Sequence, residues 1–189
     1  MNLLRFRTGQ EKLICDEIRA WSAYALEKDI GDLPACPYAK ACWDSERIEV
    51  VFKKAKDKLP LYIVLSQFDD AYDVVVVVDL AYEPADEFHE NVNTLNENIA
   101  EGMFIQKDLW LMGFHPDDDA VGSIDNGTFK GVNDVRYAMY FVQRLSKLQE
   151  ASDKLKPLGY YQKYFDDDAD LQQAFKLRES FYRKLEYGR

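Results

Sequence analysis

Ile14, Ile18, Trp21 and Ala25 recur every third or fourth position across residues 10–28, with charges between them. That spacing predicts a helix packed on one face, with Gly31 ending it. Ile48-Glu49-Val50-Val51-Phe52 is short, β-branched and bounded by charges, and reads as a strand. Leu59 to Phe68 fits either period, but its place between two strands and Pro60 near its start favour a crossover helix. The run Val74–Val78, continuing to Leu80, has no polar face, so both of its sides should be covered. Pro84, Asp86 and Glu87 open a helix whose stripe is Phe88, Val92, Leu95 and Ile99, until Gly102. Lys107 to Phe114 reads as a third strand. Asn133 or Asp134 is expected to cap a helix to about Leu148 with Val135, Met139, Val142 and Leu145 on its apolar face. After the break at Pro157-Leu158-Gly159, Asp166-Asp167-Asp168 precede a last helix, Leu171 to Leu185.

This order predicts a single domain over 1–189 of α/β (or α+β) class: a small three-layer sandwich with a short, mostly parallel sheet of about three strands flanked by helices. Residues 117–132, rich in Asp, Gly and Asn, are expected to form a mobile loop, and 160–189 a helical extension packed on the domain. If the sheet is parallel, the ends of its second and third strands share an edge, bringing Asp79 near His115.

Composition narrows the function. With 189 residues, 47% of them hydrophobic, the chain can bury an ordinary core without metal or disulfide staples. No apolar run approaches the ~20 residues of a membrane helix, and the first residues turn charged too soon for a secretory signal. Three cysteines, Cys15, Cys36 and Cys42, do not make a disulfide framework, so a reducing cytoplasm is the expected setting. The net charge of −10 opposes direct nucleic-acid binding and suits a cationic protein partner.

Two stretches carry candidate chemistry. In Pro34-Ala35-Cys36-Pro37-Tyr38-Ala39-Lys40, a helix opening at Pro37 would put Cys36 at its N-cap, where backbone N–H groups, the helix dipole and Lys40 favour a thiolate. The plainer alternative is a Cys36 packed inertly under the turn. In Gly113-Phe114-His115-Pro116-Asp117-Asp118-Asp119, a strand delivers a histidine and three carboxylates to a loop. The leading expectation is an enzyme acting on a small anionic molecule. In it Cys36 is nucleophile or redox thiol, His115 its acid/base partner and Asp117 the group orienting the imidazole, while Tyr38, Lys40, Asn133, Tyr137 and Arg144 bind substrate. A variant places a divalent ion, Mg²⁺, Mn²⁺ or Fe²⁺, on Asp79, His115, Asp117 and Asp119; otherwise no cofactor is expected. A third reading is a non-catalytic acidic interaction protein, built on the aspartate clusters and the aromatic stretch Tyr160-Tyr161-Gln162-Lys163-Tyr164-Phe165. Phosphate loops, dinucleotide fingerprints and Ser–His–Asp elbows are absent from the sequence.

Cys36-Pro37-Tyr38-Ala39-Lys40, Gly113-Phe114-His115-Pro116-Asp117 and Asn133-Asp134-Val135-Arg136-Tyr137-Ala138-Met139 occur in that order. Over most of residues 10 to 150 the chain resembles a divergent member of an uncharacterised bacterial family. That family's segments read Cys-Pro-Phe-Ala-Lys, Ser/Thr-Phe-His-Pro-Asp and Asn-Arg-Ser-Pro-Tyr-Pro-Met. The resemblance implies that Cys36 and His115 belong to one site; it supplies no reaction. The family's arginine is Asp134 here, its two prolines are Arg136 and Ala138, and a later histidine corresponds to Phe141.

Overall fold

Strand β4, Val74–Asp79, is buried at every position, as a strand with no polar face must be. It lies inside a four-stranded sheet with the spatial order β3 (Ile48–Lys53), β4, β6 (Ala138–Arg144), β5 (Leu109–Phe114). β3 and β4 are parallel, and β6 runs antiparallel to both β4 and β5, so β3, β4 and β5 all point the same way. In this computed structural model the described residues are 7–27, 29–30, 33–34, 37–117, 136–158 and 169–187. A two-residue ladder, β1 (Asp29–Ile30) with β2 (Leu33–Pro34), stands apart from the main sheet.

Tyr140 and Phe141 are consecutive on β6 and therefore face opposite sides of the sheet. The Tyr140 ring meets Phe88 of α4 (Ala85–Ala100) at 4.3 Å between centroids. On the other face, the Phe141 and Phe114 rings meet Trp21 of α1 (Gly9–Glu27) at 6.4 and 5.6 Å. Helices on both faces make the three layers of an α/β sandwich. The parallel links run through α3 (Leu59–Gln67) and α4. α2 (Pro37–Asp44) opens at Pro37, as the sequence predicts. α6 (Ala169–Tyr187) packs on α4 and on α5 (Leu145–Leu155). There Phe181 joins the core, and Arg178 donates to Ser152 Oγ at 2.7 Å. The aromatic stretch 160–165 and the loop 118–132 lie outside the described residues.

The sequence reading placed a helix over 133–148; the structure has β6 there, with the helix α5 starting only at Leu145. Val135, Met139, Val142 and Leu145 do fall at helical spacing, but the residues between 138 and 142 are apolar as well. All six from Ala138 to Gln143 are buried. A run covered on every side has no stripe, and its aromatic and β-branched content favours strand. The sheet consequently has four strands, not three.

Side chains cap both outer edges of this sheet. On β5, the Asn96 carboxamide of α4 accepts from the Leu111 N–H at 2.9 Å and donates to the Leu111 carbonyl at 2.9 Å, in the manner of a neighbouring strand. On β3, the Glu49 carboxylate accepts from the Val50 N–H at 2.9 Å, and Arg7, paired with Glu49, donates to the Val50 carbonyl at 3.1 Å. An unpaired strand edge is a template for another chain, and both of these are occupied at mid-strand.

Candidate functional site

Lys53 and Asp79 end β3 and β4 and are register partners, so both leave the carboxyl edge of the parallel strands side by side. The Lys53 ammonium donates to Asp79 Oδ2 and to Glu83 Oε1, each at 2.9 Å, with side-chain exposures of 1%, 0% and 6% for Lys53, Asp79 and Glu83. The remaining oxygens are also satisfied. Asp79 Oδ1 accepts from the Ala81 N–H at 2.8 Å. Glu83 Oε2 accepts from Asn91 Nδ2 at 2.8 Å and from the Tyr140 hydroxyl at 3.2 Å. Asn91 Oδ1 in turn accepts from the Lys58 ammonium. Two cations and two carboxylates thus form one chain reaching from the interior to the surface. Burial alone would raise the Glu83 pKa, but Lys53 overrides it and holds the carboxyl below its usual range. Burial likewise pulls on Lys53, and its bonds to Glu83 and Asp79 outweigh that and hold the ammonium above lysine's ordinary value. The Tyr140 hydroxyl is pushed up by burial and the adjoining carboxylates.

His115 follows β5 and is 2% exposed. Its Nε2 lies 2.9 Å from the Glu83 carbonyl oxygen, and its Nδ1 lies 3.1 Å from the Asp117 N–H. The Asp117 carboxylate, more than half exposed, stands 4.0 Å from Nδ1 and accepts from the Tyr82 hydroxyl. The Tyr82 and Phe88 rings lie 5.5 and 5.4 Å from the imidazole. Tyr82 adopts φ +51°, a left-handed backbone that turns the chain after β4 back over the edge.

The structure brings only part of the sequence-predicted set together. Asp79 and His115 share the carboxyl edge, joined through Lys53 and Glu83. Asp117 lies beside His115. Tyr137 precedes β6 and donates to Glu17 of α1 at 2.5 Å, on the other face of the sheet. Tyr38 and Arg144 stand at the amino edge: the Tyr38 hydroxyl donates to the Asp73 carbonyl at 2.9 Å, just before β4. Arg144 donates to the Lys107 and Asp69 carbonyls at 2.9 and 2.7 Å and pairs with Asp70 at 2.8 Å, its guanidinium stacked over Phe68. Arg144 pairs in register with Leu109 at the start of β5, and His115 follows its end. A strand rise of about 3.4 Å per residue separates them by roughly 20 Å, so the two do not line one pocket. Cys36, Asp119 and Asn133 lie outside the described residues, as does the side chain of Lys40. Among the described residues no group of three or more His, Cys, Asp or Glu side chains is placed to hold a metal ion. Asp79, assigned to that ion in the metal reading, has its two oxygens on Lys53 and the Ala81 N–H.

Lys53, Tyr82, Glu83, Asn91 and Tyr140 were not singled out from the sequence. The signals were slight: a lysine closing an apolar strand, and a glutamate just before the proline that opens α4. Tyr140 was hidden by the helix assignment.

Charge on the surface is as uneven as charge inside. α4 turns Asp86, Glu87, Glu90 and Glu97 to solvent, with Glu101 exposed just past its end, and contains no lysine or arginine. Set against protein-family models, curated proteins and solved structures, the chain matches none. Among the described residues no helix is long and apolar enough to cross a membrane.

Proposed function

We propose that this protein is a non-catalytic acidic module that binds a cationic protein partner. The observation carrying this reading is the solvent face of α4: a row of carboxylates with no lysine or arginine on the helix. Several cations elsewhere in the fold are engaged by the protein's own groups. Lys53 bridges two buried carboxylates, Arg47 and Lys147 both bond Asp73, and Arg144 is held by carbonyls and Asp70. A chain of net charge −10 then presents an anionic field that steers a basic partner and weakens with salt. His115 fits this reading as a structural group, since both of its nitrogens face backbone partners.

The test is titration with polylysine, comparing the wild type with Asp86→Asn/Glu90→Gln/Glu97→Gln and with a control neutralised on α5 at Glu150 and Asp153. The expected result is affinity that falls as salt approaches ~0.15 M, where the screening length is about 8 Å, and that falls further in the α4 variant than in the control. Equal loss in both variants, or binding indifferent to salt, removes the proposal.

A second reading keeps an enzyme that acts on a small anionic molecule. It is favoured by α2 opening at Pro37, the residue after Cys36, because a helix start stabilises a thiolate. Cys36 would be the nucleophile; Tyr38, two residues on, stands at the amino edge and His115 follows the far end of β5, so this reading rests on the thiol without His115 as its acid/base partner. Reaction with chloroacetamide, read by intact mass, tests it. A Cys36 that reacts no faster than a free thiol at neutral pH rules the nucleophile out.

A further inference from the structure

A carbonyl oxygen can only accept a hydrogen bond and a backbone N–H can only donate one. The Glu83 carbonyl at 2.9 Å from Nε2 therefore demands a proton on Nε2, and the Asp117 N–H at 3.1 Å from Nδ1 demands a bare Nδ1. Only the neutral, Nε2-protonated imidazole meets both demands. We infer that the buried Lys53–Glu83 bridge fixes His115 in that tautomer and so latches the loop 80–84 to the turn 115–117.

The two segments belong to different crossings of the sheet. Residues 80–84 lead from β4 into α4, and 115–117 leave β5. They meet at the Glu83 carbonyl on Nε2, at the Tyr82 hydroxyl on the Asp117 carboxylate, and at the Tyr82 and His115 rings. The first of these depends on where residue 83 is held. Its carboxylate is anchored from three directions, by Lys53 on the end of β3, Asn91 on α4 and Tyr140 on β6. With those anchors in place the carbonyl of the same residue has little freedom. A carboxylate released from them would seek water and draw the carbonyl off the imidazole. Lys53 is thus a positioning residue, acting on His115 and the turn through its bond to Glu83.

Nitrogen-15 long-range correlation spectra of the full-length protein, with assigned histidines, read the tautomer directly. The wild type should show His115 protonated at Nε2 and bare at Nδ1, with a ring proton slow to exchange with water. Glu83→Gln removes the charge that Lys53 holds but keeps the backbone carbonyl. Tyr140→Phe removes one anchor and preserves the ring against Phe88. Glu83→Gln should speed exchange of the His115 ring proton by about tenfold or more and mix the tautomers, with Tyr140→Phe intermediate. Sheet amide resonances shared with the wild type show that each variant is folded. A wild-type proton on Nδ1, or an unchanged His115 signal in a folded Glu83→Gln protein, overturns the inference.

Discussion

Gly113 shows how closely a single position is specified. It lies on β5 opposite Tyr140, and a Cβ there would come within 2.7 Å of the Phe88 ring and 2.9 Å of Val92 Cγ2. Neither neighbour can retreat, because Phe88 is fully buried between Tyr140 and His115. Gly113→Ala is expected to cost about 1–3 kcal/mol, the range for overpacking a filled core. A denaturant midpoint equal to the wild type's would refute the close approach. In sequence this glycine is legible only as the small residue before His115, since the reason for it sits on another helix. Lys53 is a similar case. As the last residue of a strand it resembles any solvated lysine, and only the β3–β4 register places it between two carboxylates. His115 and Asp117 were legible because they share a loop; what their side chains face was not, because Glu83 arrives from a different part of the chain.

At the scale of elements, the helices that announce their own ends were the easiest to read. Pro37 starts α2, Pro60 is the second residue of α3 and Pro84 stands just before α4, and Gly102, at φ +117°, follows α4 in the left-handed conformation that closes helices. Thr8 and Glu11 form a reciprocal capping box at the start of α1, at 2.7 and 3.2 Å, a signal present in the sequence and overlooked there. The edge caps were not legible, because Asn96 on a helix says nothing about which strand it will meet. Asn96→Ala would leave the Leu111 N–H and carbonyl without their partner, at about 1–3 kcal/mol for each buried group. It would also open the middle of β5 to pairing with another molecule. The expected outcome is a lower urea midpoint together with concentration-dependent light scattering. A destabilised variant that stays monomeric would show that α4 shields the edge without this side chain.

For the whole molecule, pH reports how its charge pairs are shared out. Glu11 is held from an ordinary 4.5 down to about 2 by its bond to Lys54 and its place in the capping box. Asp73 is lowered by Arg47 and Lys147, and Glu83 stays below its usual range because Lys53 outweighs its burial. Carboxyls lowered in the folded state give stability that is complete above the ordinary carboxylate range and is lost as pH falls through their folded values. Lys53 is raised, so its contribution is complete below 10.5 and is lost as pH climbs through its folded value. A plot of urea midpoint against pH should therefore fall below about 4 and again at the alkaline end. A midpoint that stays level as pH falls from about 4 to 2 would contradict that assignment. The α/β class and the shared direction of the first three strands were legible in the alternation of strand and helix. The fourth strand was not, since a run covered on all sides carries no period.

The antiparallel strand β6 lies between β4 and β5 although it is the last of the sheet to be made. A chain emerging from the ribosome can zip β3 to β4 early, but the second edge of the five-valine strand then has no partner for roughly 60 residues, about 3–12 s at ordinary rates of synthesis. During those seconds the most apolar strand of the protein is also its most adhesive surface, and a nascent chain in this state is a natural client for a chaperone.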